Sequence, residues 1–245
     1  MTTAVVLSGG ANLGAVHVGM LRAIVEHGVV PDLIVGTSVG ALNGAYISSR
    51  WDREGVAGLD AIWTGLRRQD ILPTNLVGGF LGFVGRSDHL VSNDGVRRVV
   101  ERELGFDRLE QAPIPVHVVA TDLLTGIDRR FSSGPAVDAI LASTAIPAIF
   151  PPVVIERHSV HRRRCGEQHA DHPRRRARGD HHLGLTGPVC PVTVSPTDFG
   201  QARQLIDRAY TDANAWLHSH AQTSTGSRAS QAATLDHGHH VPGKR

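Results

Sequence analysis

The sequence predicts an α/β fold, a three-layer α/β/α arrangement built on a mainly parallel sheet. Two observations lead there. Ala4–Leu7 is a short apolar run that ends in Ser8-Gly9-Gly10, as a buried strand of a parallel sheet does. From Gly14 the period changes, and Ala15, Val18, Leu21, Ile24 and Val25 recur at helical spacing up to Gly28, a C-terminal cap. The alternation then repeats, with residues 33–35 as a second strand and 39–49 as a second helix. Strand, helix, strand, helix with short connections is the order that a parallel sheet requires.

The remaining elements follow in chain order. Ile62, Trp63 and Leu66 mark a helix; Val96, Val99, Val100 and Leu104 mark another, closed by Gly105. Residues 114–121 read as a core strand and 135–142 as a helix. Residues 146–152 form a proline-punctuated turn leading into a strand at 153–155. Residues 72–85 are rich in glycine and large apolar groups without a period, which fits either a mobile, lipid-facing cap or a buried irregular turn. Ser195 and Asp198 form a capping box with Pro196 at the first helical position. The stripe Phe199, Ala202, Leu205, Ile206, Ala209, Tyr210, Ala213 and Leu217 follows as a core-facing helix. One main domain is expected over residues 3–217, and a disordered tail over 218–245.

Composition narrows the function. The 25 Lys and Arg against 23 Asp and Glu give a formal +2, too small a charge to argue for nucleic acid or an anionic membrane as partner. Cys165 and Cys190, with no neighbouring ligand pattern, give neither a disulfide framework nor a metal site. No cofactor is implied. The first apolar run breaks too early for a signal peptide, and no apolar stretch reaches the ~18–20 residues that span a bilayer. A cytoplasmic protein is expected, with any membrane contact peripheral.

The chemistry concentrates in two glycine-rich junctions. Gly36-Thr37-Ser38-Val39-Gly40 matches G-x-S-x-G between a strand and a helix, the context that makes a serine a nucleophile on a tight turn. The helix that starts at Val39 aims its first amides and its positive dipole end at the same point. The competing reading is a serine N-cap with glycines that only pack. Ser8-Gly9-Gly10-Ala11-Asn12-Leu13-Gly14 also joins a strand to a helix, and its amides can cradle an anion. A dinucleotide site would need an acid ~20 residues on, at the end of the next strand. That strand runs straight into the serine turn instead, so an oxyanion loop is favoured over a dinucleotide fingerprint or a packing turn.

These two junctions within forty residues resemble those of a patatin-like phospholipase. The similarity continues through Ala120-Thr121-Asp122-Leu123-Leu124-Thr125-Gly126, Ser132-Ser133-Gly134-Pro135-Ala136-Val137 and Ala142-Ser143-Thr144-Ala145-Ile146-Pro147, followed by Phe150-Pro151-Pro152. It covers residues 3–155 and resumes more weakly over 195–217. The resemblance implies an α/β/α fold and a Ser–Asp dyad without histidine, acting on lipid esters. It maps the nucleophile onto Ser38, the oxyanion-hole amides onto Gly9, Gly10 and Ala11, and the glycines of the serine elbow onto Gly36 and Gly40. Two positions depart from the family pattern: Ala11 stands where glycine is usual, and Leu13 where Arg or Lys is frequent. An alanine forced to positive φ is strained.

The family's aspartate sits in an Asp-Gly-Gly or Asp-Gly-Ala turn that this sequence lacks. In its place, residues 157–182 hold eight arginines and six histidines with almost no large apolar residue. No aromatic residue is interleaved there to stack on a base, which argues against nucleic acid. The genetic code offers another reading of the segment 157–187. Taken from the second base of each codon, with CGN arginines, His161 to Asp171 permit Ile-Asp-Gly-Gly-Val-x-Asn-Asn-Thr-Pro-Ile, which resembles the family's aspartate turn. The expectation is therefore a lipid acyl hydrolase whose gene is shifted in frame across this segment. The alternative is a catalytically impaired domain that keeps the fold without its base. Among Glu167, Asp171 and Asp180, the acids that remain there, spacing selects none.

Overall fold

The computed structural model describes residues 2–71, 92–146, 149–155, 182–185 and 198–233. Its strands are β1 (Ala4–Leu7), β2 (Leu33–Thr37), β3 (Val116–Thr121), β4 (Asp128–Phe131) and β5 (His182–Leu185). Its helices are α1 (Gly14–Glu26), α2 (Val39–Ser48), α3 (Arg53–Gly65), α4 (Arg68–Ile71), α5 (Asp94–Glu103), α6 (Ala136–Thr144) and α7 (Ala202–Ala233). The described strands form one sheet in the order β4-β3-β2-β1-β5. All neighbours are parallel except β3 and β4, which form an antiparallel hairpin. The α/β/α architecture with a mainly parallel sheet, expected from the strand and helix periods, is the one observed.

Parallel pairing puts the carboxyl ends of β1, β2 and β3 on one edge of the sheet. β1 leads through a 3-10 turn (Ala11–Leu13) into α1, and β2 leads directly into α2. Both junctions named in the sequence therefore open on the same edge. Val5, Leu7 and Ile34 are fully buried on the strands, with Leu21, Ile24 and Ile47 on the helices. At the end of α1, Gly28 takes φ 70 and donates to Val25 O (3.0 Å), while Val29 N reaches Ile24 O (3.2 Å). This is the pair of bonds that a left-handed glycine cap makes. α1 and α7 approach closely because Gly19 has no side chain: a Cβ there would come within 2.6 Å of Tyr210 N. The contact is tied at its rim by Tyr210 Oη donating to Glu26 (2.6 Å) and by Arg22 over the Tyr210 ring (4.3 Å).

Several local expectations need correction. Residues 153–155 form no strand; they pair with nothing among the described residues, and Val154 lies in solvent. α7 starts at Ala202, not after Ser195: Asp198 accepts from Gly200 N (2.9 Å) in a turn of its own, so its side chain serves that turn. Gly105 does not close α5, because Leu104 already leaves the helix in an extended conformation. α7 also runs to Ala233, well into the stretch expected to be a tail; alanines at 221, 229, 232 and 233 and the absence of proline sustain its backbone. Residues 182–185, inside the basic segment, form the edge strand β5 along β1. The cap or turn at 72–85 and the arginine-rich residues 157–181 lie outside the described residues.

Candidate active site

Ser38 occupies the single residue between β2 and α2, at φ 54 and ψ −125. A non-glycine residue in this region is strained by roughly 1–3 kcal/mol and persists only where its surroundings enforce it. The glycines of the motif supply that enforcement by removing side chains. A Cβ on Gly36 would lie 2.5 Å from the Ala41 Cα, and one on Gly40 would lie 2.5 Å from the Leu7 carbonyl carbon and 2.7 Å from Ser8 O. α2 is thus seated directly on the end of β1. The Ser38 carbonyl accepts from Ala41 N (2.9 Å) and Leu42 N (3.3 Å), which starts the helix.

The Ser38 amide is held by a side chain of α6. It donates to Ser143 Oγ at 2.6 Å, and that hydroxyl in turn donates to Val119 O on β3. Ser143 stands near the end of α6, so one side chain links β2, β3 and α6 at the turn. The sequence reading quoted Ser143 only as part of a motif. Its signal is a hydroxyl in the apolar helix end Leu141-Ala142-Ser143.

Gly9 meets Ser38 from the β1 junction, where a Cβ would lie 3.4 Å from the Ser38 Cβ. Gly10 follows, and Leu13 N closes onto its carbonyl (3.0 Å). Ala11 sits at φ 51, the positive φ anticipated from the glycine it replaces. Leu13, at the position where a basic residue is frequent, is part-exposed. Ser38, Gly36, Gly40 and Gly9 are therefore brought together, with Gly10 and Ala11 forming the loop beside them.

Behind the two junctions lies a buried polar cluster that the sequence reading did not single out. Asn43 donates to Gly14 O (2.9 Å) and to His17 Nδ1 (3.2 Å), and accepts from Trp63 Nε1 (3.0 Å). It stitches the start of α1 to α2 and α3. Gly14 allows the approach, since a Cβ there would lie 2.5 Å from Trp63 Cζ2. Burial of the His17 ring pushes its pKa down to about 4, so it stays neutral and accepts through Nδ1. The signal was present as polar His17 and Asn43 within apolar helical runs. The Asn12 side chain fastens the loop to the start of the carboxyl-terminal segment through Asp198 O (2.6 Å).

Asp122, in the matched Ala-Thr-Asp motif, has a structural partner set. Its carboxylate accepts from Leu124 N (3.0 Å) and Thr125 N (3.3 Å) and pairs with Arg129 (3.5 Å). The backbone bond from Leu124, more than any other influence, holds its pKa below the usual carboxylate range. Among the described residues, no carboxylate or imidazole is hydrogen-bonded to Ser38, and no group of His, Cys, Asp and Glu could hold a metal. Glu167, Asp171 and Asp180 lie outside the described residues.

A family model for patatin-like phospholipases matches residues 5–166, more than half of the chain. The chain belongs to the patatin-like phospholipase family. An uncharacterized NTE family protein of Mycobacterium tuberculosis is 36% identical over 151 residues, 59% of this chain and 37% of that protein. Neuropathy target esterase of Drosophila persimilis is 26% identical over 148 residues, 60% of this chain and 10% of that protein. The chain thus spans 37% or less of the length of these two relatives. Among solved structures, the ExoU–SpcU complex from the type III secretion system of Pseudomonas aeruginosa resembles it with a TM-score of 0.50 at 17% identity. That match covers 90% of this chain and 52% of the other, and speaks for the fold alone. Membership supports lipid ester hydrolysis as the class of reaction. Among the described residues no helix is long and apolar enough to cross a membrane.

Proposed function

We propose that this chain is a lipid acyl hydrolase in which Ser38 is the nucleophile and the amides of Gly9, Gly10 and Ala11 form the oxyanion hole. The observation that supports it most is the backbone of Ser38 itself. Its strained φ and ψ form the sharp strand-to-helix turn that a nucleophile elbow needs, and the glycine loop stands within van der Waals reach of its Cβ. Ser38 Oγ attacks the ester carbonyl carbon as a carboxylate base accepts its proton. The negative charge that develops on the carbonyl oxygen is met by the loop amides. Collapse of the tetrahedral species breaks the bond to the alcohol, which leaves with the proton, and water then releases the fatty acid from the acyl-serine. Peripheral contact with a membrane, where such esters reside, belongs to the same reading.

An active-site-directed fluorophosphonate tests the nucleophile. Labelling at Ser38, lost in Ser38→Ala, is the expected result; labelling of a different serine sinks the assignment.

The second reading concerns the base. None of the described carboxylates reaches Ser38, and the code permits an Asp-Gly-Gly turn in the shifted frame of residues 161–164. On this reading the chain as written is an impaired hydrolase. A general base contributes ~10²–10⁴ in rate, so replacing residues 157–187 with their shifted-frame translation should raise hydrolysis of a short-chain ester at least about a hundredfold. Changing the restored aspartate to asparagine should remove the gain. If the written chain is fully active and the repaired one no better, the base lies among Glu167, Asp171 and Asp180.

A further inference from the structure

The turn between β3 and β4 holds three large aliphatic side chains in solvent: Leu123 is 56%, Ile127 60% and Leu124 90% exposed. Scattered exposed aliphatics are ordinary, but three within five positions of one turn form a patch. The turn is firmly built. Asp122 N donates to Ile127 O (2.9 Å), Gly126 N to Asp122 O (2.7 Å), and Leu124 N and Thr125 N to the Asp122 carboxylate. Ile127 N reaches Thr125 Oγ1 (3.3 Å). Five of the six amides from Asp122 to Ile127 thus have acceptors inside the turn, which lowers the cost of taking the segment into an apolar phase.

Its place in the fold matters as much. The turn leaves the carboxyl end of β3, and Thr37 on β2 is in register with Val119, so it rises on the same edge as Ser38. Two other exposed aliphatics flank that edge: Leu13, 39% exposed, ends the loop after β1, and Ile146, 45% exposed, follows Ser143 by three residues. The charges at the base of the hairpin balance, with Asp122 and Asp128 against Arg129 and Arg130, and Asp122 is paired to Arg129. An apolar tip on a charge-balanced base suits an uncharged lipid surface better than an anionic one.

We propose that the β3–β4 turn is a membrane-docking wedge: Leu123, Leu124 and Ile127 enter the boundary between headgroups and acyl chains of a zwitterionic bilayer and hold the Ser38 edge against it. The assignment rests on the lipid-ester reading of the Ser38 site for its occupant, because continuity with that site selects lipid over a partner protein.

Flotation of the full chain with phosphatidylcholine vesicles tests it. The triple variant Leu123→Ser, Leu124→Ser, Ile127→Ser should lose at least about tenfold in partition coefficient while keeping the circular dichroism and melting temperature of the parent. Leu124→Ala, at a side chain already in solvent, should lose about threefold. Val30→Ser is the control: Val30 is 65% exposed but precedes β2, at the opposite edge, and the variant should float like the parent. Binding should also survive a rise in salt. The proposal is overturned if the parent does not float, if the triple variant floats as well as the parent, or if Val30→Ser loses as much. It is equally overturned if the triple change alters only self-association, which would mark the turn as a protein contact. Ser38→Ala should float like the parent, so failure here and failure of fluorophosphonate labelling are separate results.

Discussion

The two strand-to-helix junctions each hold one non-glycine residue at positive φ, Ala11 at 51° after β1 and Ser38 at 54° after β2. The strain is similar and its surroundings are not. At Ser38 the chain is clamped from three sides, by α2 seated on Leu7 through Gly40, by Gly36 against Ala41, and by Ser143 on the amide. The strained conformation there presents a hydroxyl. At Ala11 the side chain is only a methyl group, and the loop is tied by Leu13 N on Gly10 O, Gly14 N on the Ala11 and Asn12 carbonyls, and Asn12 on Asp198 O. On the proposed reading, strain at one junction positions the nucleophile; at the other it follows from a Cβ where glycine would serve.

The clamp at Ser38 should therefore be the more brittle of the two. In Gly40→Ala the new methyl meets the Leu7 carbonyl carbon at 2.5 Å, against backbone that cannot rotate away. Denaturant unfolding should show a loss of about 4 kcal/mol or more, and fluorophosphonate labelling should vanish in whatever folds. A loss below about 1 kcal/mol would mean that α2 is not locked on β1.

The cluster behind both junctions gives the next effect, and it depends on pH. Unfolded His17 takes up a proton near 6.5, while the buried ring resists until about 4. Between those values the unfolded chain binds more protons, so His17 stabilises the fold above pH ~6.5, and that share is lost as pH falls toward 4. It amounts to about 3 kcal/mol. His17→Gln, which leaves Asn43 an acceptor, should flatten the stability curve by one proton in that window. Parallel curves for parent and variant would show that the ring is hydrated.

How legible all this was depends on range. β1, α1, β2 and α2 are set by local periods and glycines, and the sequence named them and both junctions. β4 was missed because Asp128-Arg129-Arg130-Phe131 is a polar edge strand with only Phe131 partly buried, so it has no apolar alternation to read. The start of α7 was misplaced because Asp198 is a plausible cap by type and serves a different turn in space. Ser143 acts on Ser38 across 105 residues, a pairing that no window along the chain can contain. The base could not be read for a third reason: the segment where the family resemblance would place it has no period at all.

That long-range tie sets a smaller, separable effect. Ser143→Ala strands the Ser38 amide and the Val119 carbonyl together, which should cost about 1–2 kcal/mol. The fold should survive and the strained turn should relax. Labelling of Ser38 should then slow more than the stability loss alone explains, and Ser143→Thr, which restores a hydroxyl, should recover it. If labelling is unchanged in the folded Ser143→Ala protein, the glycines alone hold the turn.

The smallest effect has the opposite sign. Ala11→Gly removes the clash of a Cβ at φ 51, worth roughly 1–2 kcal/mol for an L residue in the left-handed region. Against this, glycine gives the unfolded chain more freedom, which offsets about 0.4–1 kcal/mol. The net expectation is a gain of about 0.5–1 kcal/mol, read as a rise in denaturation midpoint at constant slope. The same change at Ser38 would remove the hydroxyl with the strain, so the comparison is clean only at Ala11. If Ala11→Gly destabilises the protein, the methyl group is doing packing work in the loop and the two junctions are strained for more similar reasons than their surroundings suggest.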